Sequence, residues 1–195
     1  MPVAVQHAVI TNTEFWEYAQ RPENQRRWFE LWNGVLVEMP SPSPLHGFIV
    51  AALLHRLMGY LDSHPIGYAV GDSNDFALAT GVIFKPDAAF ISKKRLPQLP
   101  QRYELAPDLA VEVVSPSNTP GELADKVETY LRYGTLLVWV IYPKEKTIRI
   151  YRPGEGDQIT MQKVGLNDML TGGEVLPDLT IPVRQIFPNL AEGTP

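Results

Sequence analysis

The stretch "PDLAVEVVSPSN", Pro107 to Asn118, poses the question on which the fold and the chemistry both turn. Leu109, Ala110, Val111, Val113 and Val114 read as a buried β-strand, with Glu112 in their midst. A carboxylate among apolar side chains is costly to desolvate unless a cation, a hydrogen-bond donor or a proton compensates it. Alternation puts Glu112 on the face of Ala110 and Val114, the smaller set of side chains.

Working outward, "TPGELADKVETYLRYG" has the signals of a helix. Thr119 is the cap, Pro120 lies in the first turn, Glu122 completes a capping box and Gly134 is the stop. Leu123, Val127, Tyr130 and Leu131 form its apolar stripe, with Lys126 on the flank. A strand, a short loop and a helix folding back would carry Lys126 over Glu112. "TLLVWVIYP" then suits a central strand, and "PKEK" turns the chain into "TIRIYRP" as a hairpin. The tail from Gly154 reads as one or two further strands and a short helical turn near "VRQIFPNL".

Upstream, "TNTEFWEYAQ" starts a short helix with Thr11 and Glu14 at capping-box spacing. "RWFELWNGVLVEMP" is two β-prone runs joined by Asn33-Gly34, a strong hairpin signal. Trp28, Glu30 and Trp32 share a face there, and spacing alone favours an edge-strand Glu30 facing solvent. "SPSPLHGFIVAALLHRLMGYLD" is a helix capped by Ser43, with Ile49, Val50, Leu53, Leu54, Leu57 and Leu61 as its buried stripe. His46 lies in its first turn on the same side, where histidine is more often a capping or packing residue than a catalytic one. "GYAV", "DFALAT" and "VIFKPDAAFIS" are strand-like, the last read as one run that puts Ile83, Lys85, Asp87 and Ala89 on one side. The order α, hairpin, α, strands, α, strands predicts an α+β fold with a mixed sheet in a single domain, residues 1–195.

Composition narrows the function. A hydrophobic content of 45% with 20% charged residues describes a soluble globular chain. No apolar run approaches the roughly 20 residues of a membrane span. The N-terminus lacks a basic start and an extended apolar segment, so no secretory signal is expected. Without cysteine there are no disulfides, thiolate nucleophiles or thiolate-ligated zinc. These features fit a cytoplasmic location. The net charge of −5 argues against a coat of positive charge for non-specific DNA binding, and leaves a local basic cleft possible.

Asp87 and Glu112, both in otherwise apolar strands, form an oxygen-ligand pair suited to Mg²⁺, with Lys126 in reach. Taken singly, each has a bland reading: a strand-end turn for Asp87, an exposed strand face for Glu112, a snorkelling side chain for Lys126. The combination is more informative.

The segments "RWFELWNGVLVEMPSPSPLHGFIVAALLHRL", "KPDAAF", "VEVVSPSN" and "DKVETYLRYG", in this order, resemble the Uma family of restriction endonucleases in the PD-(D/E)XK nuclease superfamily. The resemblance spans nearly the whole chain. It implies a restriction-endonuclease-like core: a central mixed β-sheet flanked by helices, with an N-terminal β-hairpin. It also implies that Asp87 and Glu112 bind the metal with the backbone carbonyl of Val113, and that Glu30 completes the acidic site. His46 corresponds to the histidine after the "PSP" loop. One departure stands out: the superfamily's lysine lies two residues after the second carboxylate, and here that position is Val114. Lys126 is the natural substitute.

The expectation is therefore an endonuclease that cuts DNA with Mg²⁺, Mn²⁺ being a possible substitute. It is expected to act as a homodimer; "LLVWVIYP" and its hairpin could supply an interface, and core packing explains those residues equally well. An inactive nuclease-fold module is the alternative. An acid–base hydrolase built on paired carboxylates, of the glycoside-hydrolase kind, stands well behind both.

Overall fold

The computed structural model describes residues 9–188. α1 (Asn12–Ala19) starts at a capping box: Thr11 accepts from the Glu14 N–H and Glu14 reaches back to the Thr11 N–H. β1 (Trp28–Trp32) and β2 (Val35–Met39) pair through Asn33 and Gly34, both at positive φ (51° and 81°) as a type I′ turn requires. α2 (Pro44–Ser63) is capped by Ser43 and buries Ile49, Val50, Leu53 and Leu57. β3 (Gly67–Gly71), β4 (Phe76–Ala79), β5 (Val82–Phe84), β6 (Ala88–Ser92) and β7 (Leu109–Val113) follow. α3 (Pro120–Arg132) carries the expected Thr119–Glu122 capping box and stops before Gly134, whose φ is 96°. β8 (Leu137–Tyr142), β9 (Thr147–Pro153), β10 (Ile159–Val164), β11 (Met169–Gly172), β12 (Leu176–Pro182) and a 3-10 turn at Val183–Gln185 complete it.

Two main sheets result. One has the order β2-β1-β5-β4; the other is β10-β9-β8-β7-β6-β3, with β11-β12 as a separate pair. The six-stranded sheet is mixed: β7 and β8 run parallel, joined by α3, and its other neighbours are antiparallel. Leu109, Val111, Trp139 and Ile141 pack on one face with the α2 stripe and with Leu170, Leu176, Leu179 and Ile181 of β11-β12. Ala110, Val138 and Val140 pack on the other face with Leu123, Val127 and Tyr130 of α3, and with Val82 and Phe84 of the four-stranded sheet. Among the described residues no helix is long and apolar enough to cross a membrane.

Three expectations need correcting. "VIFKPDAAFIS" is not one strand. β5 belongs to the four-stranded sheet and β6 to the six-stranded sheet, so Lys85-Pro86-Asp87 is the step between them. Pro86 has no N–H to give a ladder, which suits a break there. The tail forms three strands rather than one or two, because β11 and β12 cover core surface that the sheet alone would leave exposed. Within "LLVWVIYP", Leu137 through Ile141 are core rather than interface, buried between β7 and β9, while Leu136 is exposed. The outer limits of the expected domain, and Asn189 and Leu190 of the expected helical turn, lie outside the described residues.

Candidate active site

The step from β5 to β6 brings the two sheets together, and the candidate residues meet there. Asp87, just ahead of β6, uses both carboxylate oxygens. Oδ2 accepts the Val113 N–H at 2.6 Å, and Oδ1 lies 3.0 Å from His46 Nε2. His46 can do this because the first turn of α2 faces the sheet, and its side chain is only 10% exposed. Its partner is thus Asp87. Burial alone would lower the His46 pKa; the Asp87 hydrogen bond and the charges of Asp87, Asp72 and Glu112 more than reverse this, and the net shift is upward.

Glu112 projects from β7 beneath α3, on the Ala110 face as alternation requires. Lys126 Nζ lies 2.9 Å from each of its oxygens, and Tyr130 Oη donates to Oε1 at 2.8 Å. Lys126 also lies 2.8 Å from Glu30 Oε1. This answers what compensates a carboxylate among valines: a lysine and a tyrosine one helical turn apart. Compensation is incomplete. Burial, helped by the nearby charges of Asp87 and Glu30 and opposed by Lys126, pushes the Glu112 pKa up to about 8. Burial would lower Lys126, but Glu112 and Glu30 together hold it well above the ordinary ammonium value.

Glu30 is fully buried, contrary to the edge-strand reading. β1 is flanked by β2 on one side and β5 on the other, so it has no free edge. Trp32 Nε1 donates to Glu30 Oε2 at 3.0 Å, and the Lys85 backbone N–H to Oε1 at 2.8 Å. The Lys85 ammonium turns away to Asp75, at 2.6 Å. Val113 gives its N–H to Asp87, so its carbonyl points toward the same edge of the strand. Asp87, Glu112, Val113, His46 and Lys126 all line one cavity of about 70 Å³.

When Glu112 is ionised, as metal binding would require, three carboxylates face one fixed cation and one histidine, and the site then carries excess negative charge. Among the described residues, no group of three or more His, Asp or Glu side chains is arranged to hold a metal ion unaided. The available donors are instead two carboxylates and a carbonyl, all hard oxygens. Tyr130 was missed as a site residue; its place on the α3 stripe four residues after Lys126 was the available signal. The tryptophan beside Glu30 was also legible, from the shared face of β1.

The Uma2 family model, described as "Putative restriction endonuclease", matches residues 15–184. The chain belongs to that family. A crystal structure of an Anabaena variabilis protein, described as "a putative nuclease belonging to DUF820", superposes with a TM-score of 0.77 at 20% identity, covering 91% of this chain and 97% of that one. At that identity the likeness is one of fold, and it agrees with the α+β, restriction-endonuclease-like core. None of the curated proteins matches the chain. The 15–184 match takes in Glu30, His46, Asp87, Glu112 and Lys126, so the whole acidic cluster lies within the Uma2 region.

Proposed function

We propose that this Uma2-family protein is a metal-dependent endonuclease that hydrolyses DNA phosphodiester bonds at Asp87 and Glu112. One observation carries the reading: acidic side chains from the β5–β6 step and β7 converge with a lysine from α3 on a single cavity, and Glu30 of β1 holds that lysine from behind. The donor chemistry fits Mg²⁺, or Mn²⁺ in its place, because hard oxygens predominate and a divalent charge would balance the acidic excess. Asp87, Glu112 and the Val113 carbonyl would hold it, with water and substrate phosphate completing the shell. A bound divalent cation supplies Lewis acidity, polarising the phosphoryl group and lowering the pKa of water.

The chain's own residues do the rest. Lys126 stays protonated, so it acts as a fixed positive charge opposite the charge that builds on phosphorus, and not as a base. His46 and the Val113 N–H fix the orientation of the Asp87 carboxylate. Glu30 anchors Lys126 from the other sheet. The expected homodimer and a cytoplasmic place of action belong to the same proposal.

The test is supercoiled plasmid incubated with Mg²⁺ or Mn²⁺, with EDTA and Asp87→Ala as controls. Cleavage by wild type alone supports the reading, and equal cleavage by both preparations points to a contaminant. The inactive-module reading has one observation in its favour: Lys126 already engages both Glu112 oxygens. A rise in melting temperature with Mg²⁺ that Asp87→Ala abolishes would count against that reading.

A further inference from the structure

Asn118 ends the "SPSN" segment that the acidic site leaves unused, and it lines three adjoining cavities. The middle one is the acidic cavity. Beyond His46 and Ser115 lies a second, of about 380 Å³, walled by Tyr142, Lys144 and Arg149. Beyond Met39 and Pro40 lies a third, of about 280 Å³, with Trp32 in its wall.

The side-chain amide of Asn118 has a fixed orientation. Its Oδ1 accepts from the Ser115 backbone N–H at 2.8 Å and from Ser115 Oγ at 3.0 Å. A backbone N–H can only donate, so Oδ1 must be the end it meets. The Nδ2 donors are thereby turned from Ser115, and among the described residues no acceptor takes them. Arg149 lies with its guanidinium carbon 4.4 Å from the Tyr142 ring centroid. Neither Arg149 nor Lys144 forms a salt bridge among the described residues. Glu145 shares this wall and lies near Arg149, yet Lys144 and Arg149 outnumber it, so the wall is locally basic on a chain of net charge −5.

We propose that these three cavities form a groove for one unpaired nucleic-acid strand, with Asn118 donating to the backbone beside the scissile phosphate and Lys144 and Arg149 holding phosphates on one flank. This rests on the nuclease reading and specifies its substrate. The argument for a single strand is one of size and surface. The flanking cavities have the volume of a small-molecule site, which suits one nucleotide and not a duplex. The side chains of Asp87 and Glu112 are only 17% and 10% exposed, so a phosphate must be threaded down to them. Tyr142, with Arg149 over one ring face, and Trp32, packed on Phe84, put an aromatic side chain in the wall at each end, and unpaired bases stack on the open faces of such rings.

The test is fluorescence anisotropy in EDTA, which blocks cleavage, with a labelled single-stranded DNA oligonucleotide and its duplex. Wild type should bind the single strand several-fold tighter than the duplex. Arg149→Ala should weaken binding and lower the salt slope by about 0.7, as expected for one lost contact to a single strand. Asn118→Asp keeps the acceptor for Ser115 but replaces the donors with charge, so it should retain the wild-type melting temperature and lose about tenfold or more in affinity. Asn118→Ala should fall between the two. Tighter duplex binding, no strand binding, or Asn118→Asp binding like wild type would overturn the proposal. The two readings separate cleanly. Strand binding by a protein that cuts nothing with any metal sinks the nuclease and keeps the groove. Metal-dependent cutting with unchanged Asn118→Asp and Arg149→Ala affinities sinks the groove alone.

Discussion

Replacing Lys126 by methionine keeps most of the side-chain volume and removes the one fixed charge inside the cluster. The ammonium lies 2.8 Å from Glu30 and 2.9 Å from Glu112, and its side chain is 6% exposed, so solvent cannot take its place. Removing one partner of a buried ion pair costs about 3–5 kcal/mol, because the remaining charge is left uncompensated. For a chain of this size each kcal/mol moves the melting temperature by about 2–4 °C, giving a loss of about 6–20 °C. The loss should depend on pH in a defined direction. Glu112 is raised from 4.5 to about 8 with Lys126 in place, and loss of the lysine raises it further. A carboxyl raised on folding binds a proton that the unfolded chain has released, so stability falls as pH climbs from the unfolded value toward the folded one. Wild type and variant both hold the Glu112 proton below about pH 8, so the deficit of Lys126→Met should be nearly constant from about pH 5 to 7 and grow above about pH 8, where only the wild type releases it. Thermal melts followed by circular dichroism in EDTA measure it. A deficit under about 2 °C, or one that fails to grow above about pH 8, would refute the claim that Lys126 neutralises a buried acidic pair.

Other outcomes follow from the same contacts. Tyr130→Phe removes the 2.8 Å donor to Glu112 and should cost about 1.5–3 kcal/mol in urea unfolding, with the α3 helix intact by far-ultraviolet circular dichroism. Thr119→Ala removes the side-chain acceptor of the α3 capping box and should cost about 1 kcal/mol in the same assay. Two glycines should respond in opposite senses. A Cβ at Gly67 would sit 2.3 Å from the Ile91 carbonyl oxygen, so Gly67→Ala should destabilise by about 1–3 kcal/mol. A Cβ at Gly59, inside α2, meets nothing within 4 Å, so Gly59→Ala should stabilise by about 1 kcal/mol.

The elements that were legible in the sequence are those specified by local chemistry. The Asn33-Gly34 turn, the Thr11 and Thr119 capping boxes and the α2 stripe each depend on residues a few positions apart, and each forms where it was expected. The Glu112–Lys126 contact was legible for a similar reason, since strand, short loop and helix leave little freedom in where the helix returns. Glu30 was harder. Whether β1 is an edge depends on its pairing with β5, some fifty residues away, and no local pattern encodes that partner. The β5–β6 break failed for the opposite reason. "VIFKPDAAF" alternates well enough to read through, and only the proline hinted that the chain changes sheets. Val113 entered through its backbone, and alternation patterns describe side chains alone.

That change of sheet also explains how the cluster is assembled. Glu30 stands on the four-stranded sheet and Glu112 on the six-stranded one, so neither strand register alone can bring them together. Lys126 can join them because α3 packs against both sheets, with Leu123, Val127 and Tyr130 between Phe84 on one side and Val138 and Val140 on the other. The ammonium is therefore a clasp between two layers as well as part of the candidate site, and its two roles conflict. A clasp gains from being fully paired, whereas a residue facing substrate charge must keep part of its field free. The acidic excess eases the conflict: with Asp87 and Glu112 neutralised by a divalent ion, less of the lysine's charge is needed inside the cluster and more faces the cavity. Metal binding should thus increase the positive potential at Lys126 toward the groove, and loading of strand and metal should be mutually reinforcing.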